Sequence, residues 1–201
     1  METQVPRELP IVGGHLALDF ANTVDDPDGP ARHDHIATYP DLLRWAARIG
    51  VLSPGVLERV PSVRPRAAAT VLARAHALRD TINTTFAEPS AAPHHWPELR
   101  PYAVEALAHS ELVEAGDGYE LGWPGTGDPG AVLWPIAHAA ADLLTAPELG
   151  RVKRCGGCPW LFVDRSKNGS RRWCAMNDCG THEKITRYVA HRAARRQSGR
   201  G

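Results

Sequence analysis

The chain has 201 residues, 43% of them hydrophobic and 23% charged, the balance of a soluble globular protein with room for its own core. No apolar run approaches the roughly 20 residues needed to span a bilayer, and Met1 to Pro10 lacks an apolar signal core, so no membrane insertion or secretion is expected and the protein is read as cytoplasmic. The net charge of zero conceals a division, because residues 1–150 carry 10 Lys and Arg against 20 Asp and Glu while residues 151–201 carry 13 against 3.

The first 150 residues read as mainly helical. Residues 16–24 form a short helix or helix-loop in which Asp19 and Asn22 share one face at i, i+3. That pair serves either as caps and buried polar contacts or as lining for a small-molecule pocket, to which Trp45, Tyr102 and Trp134 could add walls. Residues 41–49 are amphipathic and end at Gly50, and Ser53-Pro54 has the form of an N-cap followed by proline. The strongest helix spans 67–87, with Val71, Leu72, Ala75, Leu78, Ile82 and Phe86 on one side. Residues 88–101 hold Pro89, Pro93, Pro97 and Pro101 and read as a loop or linker; helix resumes over 102–109.

Residues 112–123 break the helical pattern, and Asp117-Gly118 between two short apolar-containing segments predicts a hairpin. Residues 131–144 are helical, with Pro135 in the first turn or at a kink, and Thr145 caps a further short helix. Two histidine clusters, His33-Asp34-His35 and His94-His95, invite a second metal site. Neither has a second ligand group fixed by spacing, so exposed loop histidines are the plainer reading. His76 and His138 sit among apolar helical residues and are read as packed or capping.

All four cysteines fall within the last quarter: Cys155-x2-Cys158, fifteen residues, then Cys174-x4-Cys179. Two short pairs separated by such a loop match a structural zinc site, because each pair turns two thiolates toward one point. Two disulfides, or a redox-active C-x-x-C, are the alternatives. The first is disfavoured in a reducing compartment, and the second usually opens a helix, whereas a proline and an apolar run follow here. Four thiolates leave no open coordination position, so the metal is expected to be architectural.

Residues 160–163 read as a strand, Asn168-Gly169 as a turn and 171–173 as the returning strand. Thr181 then caps a helix from 182 to about 196, with Ile185, Tyr188 and Val189 as its apolar stripe. Arg165, Lys167, Arg171 and Arg172 crowd the hairpin, and Lys184 and Arg187 the helix, a pattern suited to phosphate contact. Trp160 and Trp173 could stack on bases or pack over the zinc knuckle.

The stretch R-V-K-R-C-G-G-C-P-W-L-F-V-D-R-S-K-N-G-S-R-R-W-C-A-M-N-D-C-G closely resembles the CGNR zinc-finger family. L-A-L-D-F-A-N-T-V, residues 16–24, resembles the opening of its usual partner, the ABATE domain. Members are described as stress-induced or ligand-responsive bacterial transcription regulators. The resemblance implies DNA binding by the finger and sensing or dimerisation by the first domain. One departure stands at the point that names the family: Cys179-Gly180 is followed by Thr181-His182 in place of Asn-Arg, so the fixed positive fork of arginine is missing there.

The expected architecture is therefore mainly α: a helical domain with a small β-hairpin over 10–147, then a treble-clef or ribbon-like zinc finger over 151–197 holding one structural zinc ion. The expected function is a regulator that binds DNA through its basic module, with a small-molecule ligand or a homodimer contact in the first domain. The alternative is a small-molecule-binding protein or pathway enzyme whose finger is purely structural. An adaptor whose basic finger docks on an acidic partner, such as a second copy's first domain, is the third reading. With no G-x-S-x-G, no phosphate-binding glycine loop and no cysteine outside the cluster, enzymatic activity has little support.

Overall fold

The computed structural model describes residues 8–26, 32–52, 63–124, 127–181, 183–185, 188–189 and 192. Among the described residues, five helices that precede the cysteine cluster pack together and three two-stranded antiparallel ribbons decorate them. In chain order they are α1 (Leu16–Ala21), β1 (Val24–Asp25), β2 (His33–Asp34), α2 (Tyr39–Arg48), α3 (Pro65–Ala87), α4 (Ala92–Ala108), β3 (Glu111–Ala115), β4 (Gly118–Gly122), α5 (Trp134–Thr145), β5 (Val152–Arg154) and β6 (Leu161–Val163). The mainly helical reading with a small hairpin holds, and no helix is long and apolar enough to cross a membrane among the described residues.

Helix α3 is the spine. Val71, Ala75, Leu78, Ile82 and Phe86 recur every three or four residues and are buried against α1, α2 and α4, while Leu72 on the flank is half-buried. Helix α2 starts in a capping box, Thr38 Oγ1 accepting from Asp41 N at 3.3 Å and Asp41 Oδ2 from Thr38 N at 3.0 Å. Its Trp45 lies against Phe20 of α1, ring centroids 5.3 Å apart.

Helix α4 corrects the expectation of a loop over 88–101. A short 3-10 turn, Pro89–Ala91, leads directly into helix. Pro93, Pro97 and Pro101 are four residues apart, so they stack on one face, and all three are exposed. Pro93 sits in the first turn, where the N–H has no helical acceptor, and only Pro97 and Pro101 each remove one helical N–H. The opposite face, with Ala92, Leu99 and Ala106, stays buried against the neighbouring helices. The segment 102–109 is the second half of this same helix.

Two boundaries shift. The β3–β4 turn is Gly116-Asp117, one residue earlier than Asp117-Gly118, because Gly116 takes the positive φ of 56° that a two-residue hairpin loop of this kind needs first. Thr145 ends α5 by donating to Asp142 O at 3.1 Å, and the 3-10 turn Pro147–Arg151 follows Ala146 without a side-chain cap. Pro135 lies in the first turn of α5, as its chemistry requires. Ser53-Pro54 lies outside the described residues.

The C-terminal segment is built into the main core. Leu161, Phe162 and Val163 are buried in the same continuous cluster as Leu18, Phe20 and Ile82, and β6 packs on α1 and α3. The ladder that forms is β5 with β6, Val152 opposite Val163 and Arg154 opposite Leu161. The expected strand over 171–173 is not one: Arg172 O accepts from Gly156 N at 2.9 Å, and these residues run as irregular backbone over the cysteine turn. Thr181 is also not a cap. It sits inside helical backbone that begins at Met176, and its hydroxyl donates to Met176 O at 3.1 Å.

Candidate metal centre and its basic loop

The β5–β6 hairpin turns through Cys155 and Cys158, and the chain returns with Cys174 and Cys179. The four sulfurs all lie within 4.8 Å of one another, and they form the sole group of three or more potential metal ligands among the described residues. Cys158 and Cys174 Sγ are 3.5 Å apart, Cys174 and Cys179 Sγ 3.7 Å. A zinc–thiolate bond of about 2.3 Å gives a tetrahedral sulfur–sulfur edge of about 3.8 Å, so the donor set fits one zinc ion. Cys155 Sγ accepts from Gly157 N at 3.4 Å and Cys174 N at 3.2 Å, bonds that orient a thiolate.

The thiols resist ionising together without a cation. Burial raises the Cys155 thiol, but the bonds from Cys174 and Gly157 outweigh it and hold the group below its ordinary value. The hydrogen bond with Cys174, then burial, drives Cys158 far upward, and burial with the Cys158 contact pushes Cys179 up to about 12. A divalent cation removes this conflict. The site is a structural zinc centre with every ligand position filled by sulfur.

Packing around the knuckle is tight. A Cβ on Gly156 would lie 2.8 Å from the Trp173 ring, and one on Gly180 would lie 2.5 Å from Met176 Sδ and 3.1 Å from Trp173. Trp173 thus covers the knuckle. Trp160 is buried and donates from Nε1 to Val24 O at 3.1 Å.

The loop after β6 is organised by Asp164, whose side chain is fully buried. Its Oδ1 accepts from Ser166 N at 2.9 Å and Ser166 Oγ at 2.6 Å; its Oδ2 accepts from Lys153 Nζ at 2.7 Å and Arg171 N at 2.9 Å. The Lys153 and Ser166 bonds hold its carboxyl well below the usual carboxylate range. Arg151 reinforces the loop by donating to Asp164 O at 2.6 Å and to Ser166 O. The sequence signal was Asp164-Arg165-Ser166, an Asx-turn pattern, but neither Lys153 nor Arg151 was legible as its partner.

The loop sorts the predicted cations. Arg171 is turned inward: its Nε donates to Trp173 O at 2.8 Å, its Nη2 to Cys174 O, and its guanidinium lies 4.5 Å from the Phe162 ring centre. Arg165, Lys167, Arg172 and Lys184 are exposed. Arg172 lies over Trp173 at 5.1 Å, and Arg165 donates to Gly14 O at 2.8 Å. Arg187 and His182 lie outside the described residues.

The three predicted ligand residues part company. Asn22 pairs with the β6 backbone, Nδ2 donating to Leu161 O and Oδ1 accepting from Leu161 N, both at 2.8 Å. Trp45 is buried on Phe20. Asp19 alone lines a cleft, of about 390 Å³, with His15, Arg48 and Ile49 among its walls. Burial raises its carboxyl above the ordinary value, although Oδ1 accepts from Gly13 N at 2.7 Å. Of the histidine clusters, His35 Nε2 pairs with Asp25 Oδ2 at 2.9 Å and stands edge-on to His33, while His94 and His95 lie in α4. His76 bonds Ile36 O at 3.0 Å and His138 sits 5.4 Å from the Trp123 ring. Sequence reasoning missed a buried ion pair beside this region, in which Arg79, 1% exposed, grips both oxygens of Asp34 at 2.8 and 2.9 Å.

Comparison with known families agrees with this anatomy. No protein of curated function matches the chain. Residues 151–192 match the family model of the CGNR zinc finger, and residues 14–147 match ABATE, described as "Putative stress-induced transcription regulator". The chain belongs to the ABATE family and carries a CGNR zinc finger at its C-terminal end.

Proposed function

We propose that this chain is a DNA-binding transcription regulator whose contact surface is the Asp164-centred loop and the adjoining helix. The observation that carries this reading is the division of labour in residues 164–172. Asp164, Lys153, Arg151 and Arg171 engage one another and the backbone, while Arg165, Lys167 and Arg172 remain on the outside. A rigid loop with cations on its rim suits phosphate, because little side-chain or backbone freedom is lost on contact. Lys184 extends the surface along the helix, and Arg171 acts as a positioning residue. The sixth predicted cation, Arg187, is assigned to this surface by sequence alone.

The first domain supplies the sensor. The Asp19 cleft is its ligand site, and Asn22 and Trp45 act from behind it. The turn that edges the cleft also touches the loop: Gly13 O accepts from Val163 N at 2.8 Å, and Gly14 O accepts from Arg165. A ligand that shifts this turn alters Arg165 directly. The reading is tested by titrating duplex DNA with zinc-loaded protein by fluorescence anisotropy at several ionic strengths. Affinity is expected to fall steeply with salt; no binding to any duplex even at low ionic strength contradicts it.

A further inference from the structure

Among the described residues, two of the exposed apolar stripes lie in segments of opposite charge. The first is the β3–β4 hairpin. Its cross-strand pairs Leu112–Leu121 and Glu114–Tyr119 share one face. Leu112 and Tyr119 are each 70% exposed on it. The hairpin itself is acidic: residues 111–122 contain 4 Asp and Glu and no Lys or Arg. The second is the helix after the zinc centre, where Ile185, Tyr188 and Val189, at i, i+3 and i+4, are 58%, 60% and 59% exposed. Arg192 lies over the Tyr188 ring at 5.6 Å. From residue 181 to 201 the chain holds 6 Lys and Arg against 1 Glu. The expected apolar stripe therefore exists and stands more than half exposed.

We infer that the hairpin face of one copy takes the C-terminal helix of a second copy, and that the exchange is reciprocal. Two observations select this occupant. Helical spacing gives a narrow apolar ridge that lies along a two-stranded ribbon, as helices pack on sheets generally. The charges match as well: the acidic chain around Leu112 and Tyr119 meets a basic helix. One helix on one ribbon is small against the roughly 1,200 Å² that a specific interface buries. The reciprocal arrangement doubles the area and closes the pair with two-fold symmetry, leaving neither stripe open. This inference stands whether or not the loop binds DNA.

The test uses the zinc-loaded full chain in sedimentation equilibrium, with Leu112→Lys, Ile185→Glu and an equimolar mixture of the two. Both positions are more than half exposed, so unfolding midpoints should match the wild type. Wild-type protein is expected to dimerise, more weakly at about 500 mM salt than at about 50 mM. Each variant alone should weaken dimerisation at least about tenfold. The mixture should restore a dimer, because it keeps one intact helix–hairpin contact and sets Lys against Glu in the other. A wild-type monomer under all conditions overturns the inference, as does a Leu112→Lys variant that dimerises normally, which would mean helix-to-helix pairing. A mixture no better than its components overturns it too. Helix stripe occupancy by DNA alone would appear as a wild-type monomer whose Ile185→Glu variant loses duplex binding, and this also overturns it.

Discussion

Asn22 and Leu161 are joined by two hydrogen bonds of 2.8 Å, the side-chain amide of one completing the backbone pairing of the other across 139 residues. The amide acts as one more peptide unit beside β6, where among the described residues no strand neighbours it on that side. This pair ties the zinc module to α1. Asn22→Ala leaves a buried N–H and a buried C=O without partners, and should cost about 2–4 kcal/mol. Urea unfolding followed by circular dichroism measures this; a loss within about 0.5 kcal/mol would show that the pairing is incidental.

Zinc removal should be felt beyond the finger. Structural zinc in small modules contributes on the order of 10 kcal/mol, and here the cysteine turn holds β6 against α1 and α3. Chelation at neutral pH is expected to abolish amide-exchange protection at Leu161 and Val163 and to lower it in α1, while α3 to α5 keep theirs. Unchanged protection in α1 would show that the two parts fold independently.

Asp164 sets a pH signature. Its folded carboxyl lies below the ordinary range, so its stabilisation is complete above the unfolded value near about 4 and is lost only as pH falls through the lower folded value. Asp164→Asn should therefore lower the urea midpoint by the same amount at about pH 6 and about pH 8. A difference that changes across that interval would mean another group titrates with the loop. Acid should remove zinc first, since Cys158 and Cys179 hold their protons tightly once the cation leaves.

Arg171 and Arg172 are adjacent yet should behave differently. Arg171→Ala removes the bonds to Trp173 O and Cys174 O beside the ligands, and is expected to accelerate zinc transfer to a chromogenic chelator. Arg172→Ala should leave that rate unchanged, because its side chain is exposed over Trp173. Equal rates for the two variants would remove the distinction on which the contact surface rests.

Much of this was legible locally. The cysteine pairs, the α3 stripe and the hairpin are patterns confined to a few turns of chain, which is where periodicity and spacing carry information. Pro93, Pro97 and Pro101 misled because each alone opposes helix. Their spacing of four, which stacks them on the exposed face of α4, matters only once the packing of the other face is known. Thr181 misled similarly: its helix already begins at Met176, where no side-chain cap marks the start. Asn22 could not be paired with Leu161, nor Asp34 with Arg79, because nothing local records a contact across the chain. Arg171 and Arg172 are indistinguishable as letters, and only Phe162 and the knuckle carbonyls separate them.

The central claim is that an inward-braced loop presents its outer cations to DNA. The most direct measurement is the slope of log binding constant against log salt for wild type and for Lys167→Ala combined with Arg172→Ala. The account predicts that the magnitude of the slope falls by about two in the double variant, at close to 0.9 per lost phosphate contact, with the unfolding midpoint unchanged. An unaltered slope in a folded, zinc-loaded double variant would contradict it.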